Sequence, residues 1–460
     1  MVIYHFFLLV INILFFQDAS TKDIISIPFN KELPNLNNIS PNDIFQKIKD
    51  NKLLAEISVG TPKQNMKLQL ILTEYLFYLG GKNSLCQNKF IENESKSYQK
   101  ISDNILYFQM ANLKEGYFSS DIFYFGEKSE ENKEINFLLA IDTEQSTSSG
   151  IIGLNIQDTD TKKYDKYNFI KILKNNGIIK DYYFTIKYTN NNSGKLIIGD
   201  LPHNYDDKYE AKYFSDTYIS MFENVLTWNI NIESIYVAEN ALSENKKIIG
   251  EKIYGYFKLE SGIILGTERY RQNLLSDFMK EKINKGLCFE ISNTFYISYY
   301  CKKEVDISKI NKLYFYIKSM DYVFEFTHED LFYKSDDGNN YFLVYFNDDY
   351  NSEEGSGYFW TFGEPFFKKY NLIFNPDTKR IGIYKSQNGE NRDNLRNQSF
   401  GQRNKWLIIL IVVLVIVCGG LGLMIYLYLK VLPKRKKKAN ELVDEFDYSS
   451  KDQNILYYIQ

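Results

Sequence analysis

One pattern occurs twice in this chain, and it limits the fold more than any other feature. The first copy is Leu68-Gln69-Leu70-Ile71-Leu72-Thr73-Glu74, an apolar strand running into a turn, answered downstream by Gly150-Ile151-Ile152-Gly153-Leu154. The second is Gly255-Tyr256-Phe257-Lys258-Leu259-Glu260-Ser261-Gly262, answered by Trp360-Thr361-Phe362-Gly363. A strand and turn repeated with the same distant glycine reply calls for two similar halves, and no repeat of solenoid length competes with it. Between the apolar runs Phe6 to Phe16 and Leu407 to Leu429, strand-like runs rich in Tyr, Phe, Ile and Val recur with Gly and Asn punctuation, while helical periodicity is rare. The expected body is all-β. At 460 residues, 44% hydrophobic and 25% charged, the chain has room for two domains and flanking segments.

These segments resemble the pepsin-like aspartic peptidases, and the resemblance runs from about Leu53 to Lys385. Ala55-Glu56-Ile57-Ser58-Val59-Gly60-Thr61-Pro62 matches the family's entry strand and turn. Phe184 to Tyr188, leading to Gly194 to Gly199, is similar to the strand pair closing the first lobe, and Trp228 to Val237 to the strand opening the second. Trp360 to Tyr370 and Phe374 to Ile383 resemble the closing helix and final hairpin. The resemblance implies a bilobal fold with a central cleft, its lobes dividing near Tyr205 to Tyr213. A disulfide common in the family implies a Cys288–Cys301 pair, which leaves Cys86 without a partner in the body, either as a free buried thiol, the preferred reading, or as half of an intermolecular bridge. Ser26 to Lys31 looks like the start of a pro-segment.

In that family each turn carries Asp-Thr-Gly or Asp-Ser-Gly. Two carboxylates held too close to ionise together split their pKa values, so that one activates water while the other protonates the carbonyl. Here matching the threonine puts Leu72 at the first aspartate position, and counting from Gly60 puts Ile71 there. Neither is a carboxylate. Glu260 occupies the second position with one methylene too many, a displacement that catalysis tolerates badly. Thr73, Ser261 and Gly262 keep parts of the frame, whereas Glu74 stands where Leu72 in register would require glycine. A Glu74–Glu260 pair and an Asp142 centre in Ala140-Ile141-Asp142-Thr143-Glu144 are weaker alternatives, since both lie off the expected turn. The resemblance implies a flap that closes over substrate, with its tyrosine at Tyr107 if the hairpin tip is two residues longer and Gln109 in that place when counted back from Gly116; the other reading is that Tyr107 and Phe108 only pack a hairpin.

Phe6 to Phe16, followed by Ala19 and Ser20, reads as a signal peptide, although no Lys or Arg precedes it. Leu407 to Leu429 lacks charge and is long enough for a membrane helix, which needs roughly 20 apolar residues. Lys430 and Lys434 to Lys438 follow, favouring a cytoplasmic tail and a lumenal or extracellular body. Asn38, Asn93, Asn191 and Asn397 head triplets suited to glycosylation. The expected organisation is a signal peptide at 1–20, a pro-segment-like region at 21–52, β lobes at 53–207 and 208–387, a stalk at 388–405, a span at 406–430 and a tail at 431–460.

A net charge of -3 gives no electrostatic case for nucleic acid. The 38 Tyr and 34 Phe run through every segment and mark composition rather than a binding surface. No metal-ligand cluster, cofactor loop or Ser-His-Asp set appears, so no cofactor or metal is expected. The preferred reading is a membrane-anchored pseudoprotease that holds a peptide or unfolded segment without cutting it. An active endopeptidase with a Glu-containing centre is the alternative, and a structural surface protein the third.

Overall fold

The computed structural model describes residues 24–34, 40–108, 112–125, 132–156, 166–220, 227–239, 248–347 and 359–385. The expected signal peptide, Gln109, Asn38, Asn397, the stalk, the span and the tail lie outside them. Among the described residues no helix is long and apolar enough to cross a membrane.

Eight elements position the site. Strand β1 (Ile25–Lys31) buries Ile25, Ile27 and Phe29 on alternate positions, the two-residue period of a strand with one face inward. Helix α1 (Pro41–Ile48) starts with a reciprocal Ser40/Asp43 capping box and Pro41 in its first turn, and buries Ile44, Phe45 and Ile48. Strands β2 (Leu53–Val59) and β3 (Gln64–Ile71) form an antiparallel hairpin across the Gly60-Thr61-Pro62 turn. Gly60 has φ +86°, and a side chain there would strike Ser95, which fits a glycine at this turn. Strand β4 (Gly150–Gly153) lies parallel to β3. In the second half, β5 (Ile248–Phe257) runs parallel to β6 (Phe359–Phe362), and α2 (Glu364–Lys369) follows at once.

Among the described residues the strands form two sheets, one of 14 strands and one of 11. β1 to β4 belong to the first, β5 and β6 to the second. The expected division near Tyr205 to Tyr213 is not a clean break. Phe214–Tyr218, Ile373–Asn375 and Arg380–Tyr384 all return to the first sheet, where Phe184 pairs with Phe374. Aromatic packing explains the return: Phe374 stacks on Phe184 at 5.0 Å, and the buried Trp228 packs against both rings at 5.8 and 5.0 Å.

Cys288 and Cys301 face each other across the Cys288–Ser292/Tyr296–Cys301 hairpin and form a disulfide. Cys86 is free and buried, 3.7 Å from the Thr143 hydroxyl. Asn93 and Asn191 are exposed.

Candidate functional site

The two turns of the duplicated pattern meet, and their contact is made by Glu260. Its Oε2 accepts the Leu72 backbone N–H at 3.3 Å, and its Oε1 accepts a short hydrogen bond from the Thr73 hydroxyl. The Leu72 side chain takes no part in this contact. It is 1% exposed and belongs to the hydrophobic core, and Ile71 is buried in a neighbouring cluster with Leu76, Tyr78 and Phe108.

Strand register fixes which residues of the two turns correspond. In the first half Ile71 lies opposite Gly153. In the second Phe257 lies opposite Phe362, so Lys258 is level with Gly363. Matching the two glycines equates Leu72 with Leu259, Thr73 with Glu260, Glu74 with Ser261 and Tyr75 with Gly262. Sterics give the same match independently. A Cβ on Gly153 would collide with the carbonyls of Glu74 and Leu76, and one on Gly363 with the carbonyls of Ser261 and Ile263. Leu72 and Leu259 are both sealed in the core, at 1% and 0% exposure. Thr73, rather than Leu72 or Ile71, is therefore the counterpart of Glu260. The threonine that suggested the Leu72 register stands in the carboxylate's place itself.

The first turn is held by asparagines that sequence reasoning missed. Asn155 donates its side-chain amide to the Thr73 carbonyl at 2.9 Å and its backbone N–H to the Glu74 carbonyl at 2.8 Å. Asn168 donates to the Tyr75 carbonyl at 3.1 Å. In the second turn, the Ser261 hydroxyl donates to the Ile263 carbonyl at 3.1 Å, and Asn51 contributes two bonds, N–H to the Glu260 carbonyl at 2.9 Å and side-chain amide to the Leu259 carbonyl at 2.8 Å. No local motif marks these asparagines, because each acts on backbone distant in sequence.

Glu74 does not hydrogen-bond Glu260; its Oε1 accepts from Asn112 at 3.2 Å. Burial pushes the Glu74 carboxyl above the ordinary glutamate value, the Asn112 amide offsets part of that, and the Glu260 charge adds to it. Of the expected flap residues, Leu106–Tyr107 pairs with Gly116 and Glu115. Tyr107 is 72% exposed, whereas Phe108 packs into the Ile71 cluster, edge-on to Tyr167 at 5.9 Å. Asn112 also accepts the Tyr78 hydroxyl on its carbonyl at 3.2 Å, so this one residue bonds both to Glu74 of the turn and to the strand that follows it. Asp142 lies in the Asn132–Thr143 strand opposite Glu115, away from both turns. Among the described residues no group of three His, Cys, Asp or Glu is arranged to hold a metal.

The family model for eukaryotic aspartyl protease matches residues 52–386. The chain belongs to that family. It is also 25% identical over 416 residues to plasmepsin VII of Plasmodium falciparum (isolate NF54), covering 82% of this chain and 87% of that one. A pepsin-like fold binds peptide in the cleft where its two turns meet, and here the turns meet at Thr73 and Glu260.

Proposed function

We propose that this protein is a membrane-anchored pseudoprotease, with its body lumenal or extracellular, that binds a peptide or unfolded protein segment without hydrolysing it. The supporting observation is the pairing of Thr73 with Glu260. Hydrolysis by this family needs a base and an acid acting together on water and carbonyl. Glu260 supplies one carboxylate, already engaged by the Leu72 N–H and the Thr73 hydroxyl. A threonine hydroxyl facing it ionises far above working pH and cannot replace the second. The Ser261 and Gly262 frame and the Phe108-bearing hairpin keep the surroundings of a peptide site.

The test is a peptidase assay of the purified chain from acidic to neutral pH, alongside binding of unstructured peptides by fluorescence anisotropy. Binding without turnover is expected. Peptide binding that is absent at every pH would favour a structural role. A second reading has one observation in its favour, the raised Glu74 carboxyl within electrostatic reach of Glu260. If that pair works as an acid and a base, cleavage will appear and be abolished by either Glu260→Ala or Glu74→Gln.

A further inference from the structure

We propose that Glu74 is a specificity-determining residue of the cleft, and that with Glu260 it selects a peptide carrying a lysine or arginine side chain. The inference rests on the peptide-binding reading above and not on whether the bound peptide is cut. It starts from a difference between the two turns. Ser261, the structural counterpart of Glu74, is 8% exposed and turns its hydroxyl back on its own loop, donating to the Ile263 carbonyl. Glu74 takes the opposite course. Its partly buried side chain leaves the turn and reaches Asn112, which leads into the Leu113–Phe125 strand of the expected flap. Glu260 is partly buried as well, and its carboxylate reaches the first turn from the other side.

Charge decides what such a pair attracts. Every side-chain bond to the two carboxylates comes from a neutral donor: the Leu72 N–H and the Thr73 hydroxyl for Glu260, the Asn112 amide for Glu74. Neutral donors share a carboxylate's charge without cancelling it. Among the described residues no Lys, Arg or His forms an ion pair with either carboxylate, and Glu74 Oε2 has no hydrogen-bond partner. The cation that shares a face with Glu260 is Lys258, because Phe257 and Leu259 on either side of it point into the core. Lys258 is exposed and pairs with neither. Burial, with the Glu260 charge adding to it, already holds the Glu74 carboxyl above its ordinary value. An arriving cation relieves the repulsion and draws Glu74 back to its charged form, whereas a neutral side chain does neither. Lysine and arginine bring that cation on a long apolar stem, which suits a partly buried pair.

The experiment is fluorescence anisotropy at neutral pH on the purified full chain in detergent. The probes are unstructured, fluorescein-labelled peptides of Ala, Leu, Phe and Ser whose central residue is Lys, Arg, norleucine or Glu. The Lys and Arg peptides should bind on the order of tenfold more tightly than the norleucine peptide, the size expected of one charge-assisted hydrogen bond. The Glu peptide should bind least. Glu74→Gln should bring the Lys and norleucine peptides within about twofold of each other, and its tryptophan emission checks that it is folded. Asp142→Asn removes the same charge away from both turns and should keep the gap. A norleucine peptide that binds as tightly as the Lys peptide would overturn the inference while leaving peptide binding in place. A Lys preference that survives Glu74→Gln, or that Asp142→Asn abolishes equally, would overturn the assignment to Glu74. If no peptide of any composition binds, the peptide-binding reading fails and this inference fails with it.

Discussion

Placing an aspartate at each candidate position of the first turn separates the two registers sharply. Leu72→Asp removes a side chain that is 1% exposed, forfeiting about 1.5–3 kcal/mol of burial. It also buries a carboxyl among apolar neighbours, which adds several kcal/mol. The sum, on the order of 5 kcal/mol or more, rivals a typical total stability of about 5–15 kcal/mol. Thr73→Asp is different, because position 73 is exposed and its side chain already reaches Glu260. It loses a hydrogen bond worth about 1 kcal/mol and sets two carboxylates side by side. Two like charges at ~4 Å repel by about 4 kcal/mol at an effective dielectric of 20, less where solvent screens them. That repulsion depends on pH. The folded pair shares a proton more readily than the unfolded chain, so one folded pKa is raised; stability is fully present at acidic pH and is lost as pH rises through that value. Urea unfolding followed by tryptophan fluorescence, with Trp228 and Trp360 both buried, measures this at acidic and neutral pH. Leu72→Asp should fail to fold or lose most of its stability at either pH, while Thr73→Asp should be near wild type in acid and about 1–3 kcal/mol weaker at neutral pH. A well-folded Leu72→Asp, or a Thr73→Asp variant indifferent to pH, would show the register to be wrong. If the register is right, Thr73→Asp with Tyr75→Gly and Glu260→Asp is the combination expected to gain acid peptidase activity, and Leu72→Asp with Glu74→Gly and Glu260→Asp is not.

Three further outcomes are expected. Lys31→Met strands the buried Glu364 carboxylate with Lys368 as its remaining cation, 3.0 Å away, and should cost about 2–4 kcal/mol in urea unfolding, whereas Lys31→Met with Glu364→Gln should recover most of the loss; additive effects would refute the coupling. Glu74→Gln should stabilise the fold at neutral pH and leave it unchanged in acid, because the raised Glu74 carboxyl favours the protonated form, so its contribution is present below the ordinary glutamate value and lost as pH rises; thermal midpoints at the two pH values check the sign. Replacing Cys288 and Cys301 together by serine opens a closed loop of sequence separation 13 and should lower stability by about 3 kcal/mol on the chain-entropy account, read from urea midpoints with and without reductant.

Much of the fold could be read from the chain alone. The repeated strand, turn and distant glycine arise from a local period and from glycines that must admit a neighbouring backbone, and both leave marks in sequence. Strand patterning marked β2 and β3 in the same way, α1 and its capping box were not read from the chain, and the Cys288–Cys301 pair followed from the resemblance. What sequence could not fix was the register of the first turn. Leu72 and Thr73 are adjacent, and one residue along a strand end reverses which side chain meets the core and which meets the opposite turn. Only the pairing of β3 with β4 and of β5 with β6, together with the close approach at Gly153 and Gly363, decides that Thr73 faces Glu260. The return of Ile373–Asn375 and Arg380–Tyr384 to the first sheet and the contacts of Lys31 and Asn51 with the second half were invisible for the same reason. Their partners are hundreds of residues away, as in the pairing of Lys31 with Glu364, and long-range contacts between ordinary side chains and backbone carry no local signature.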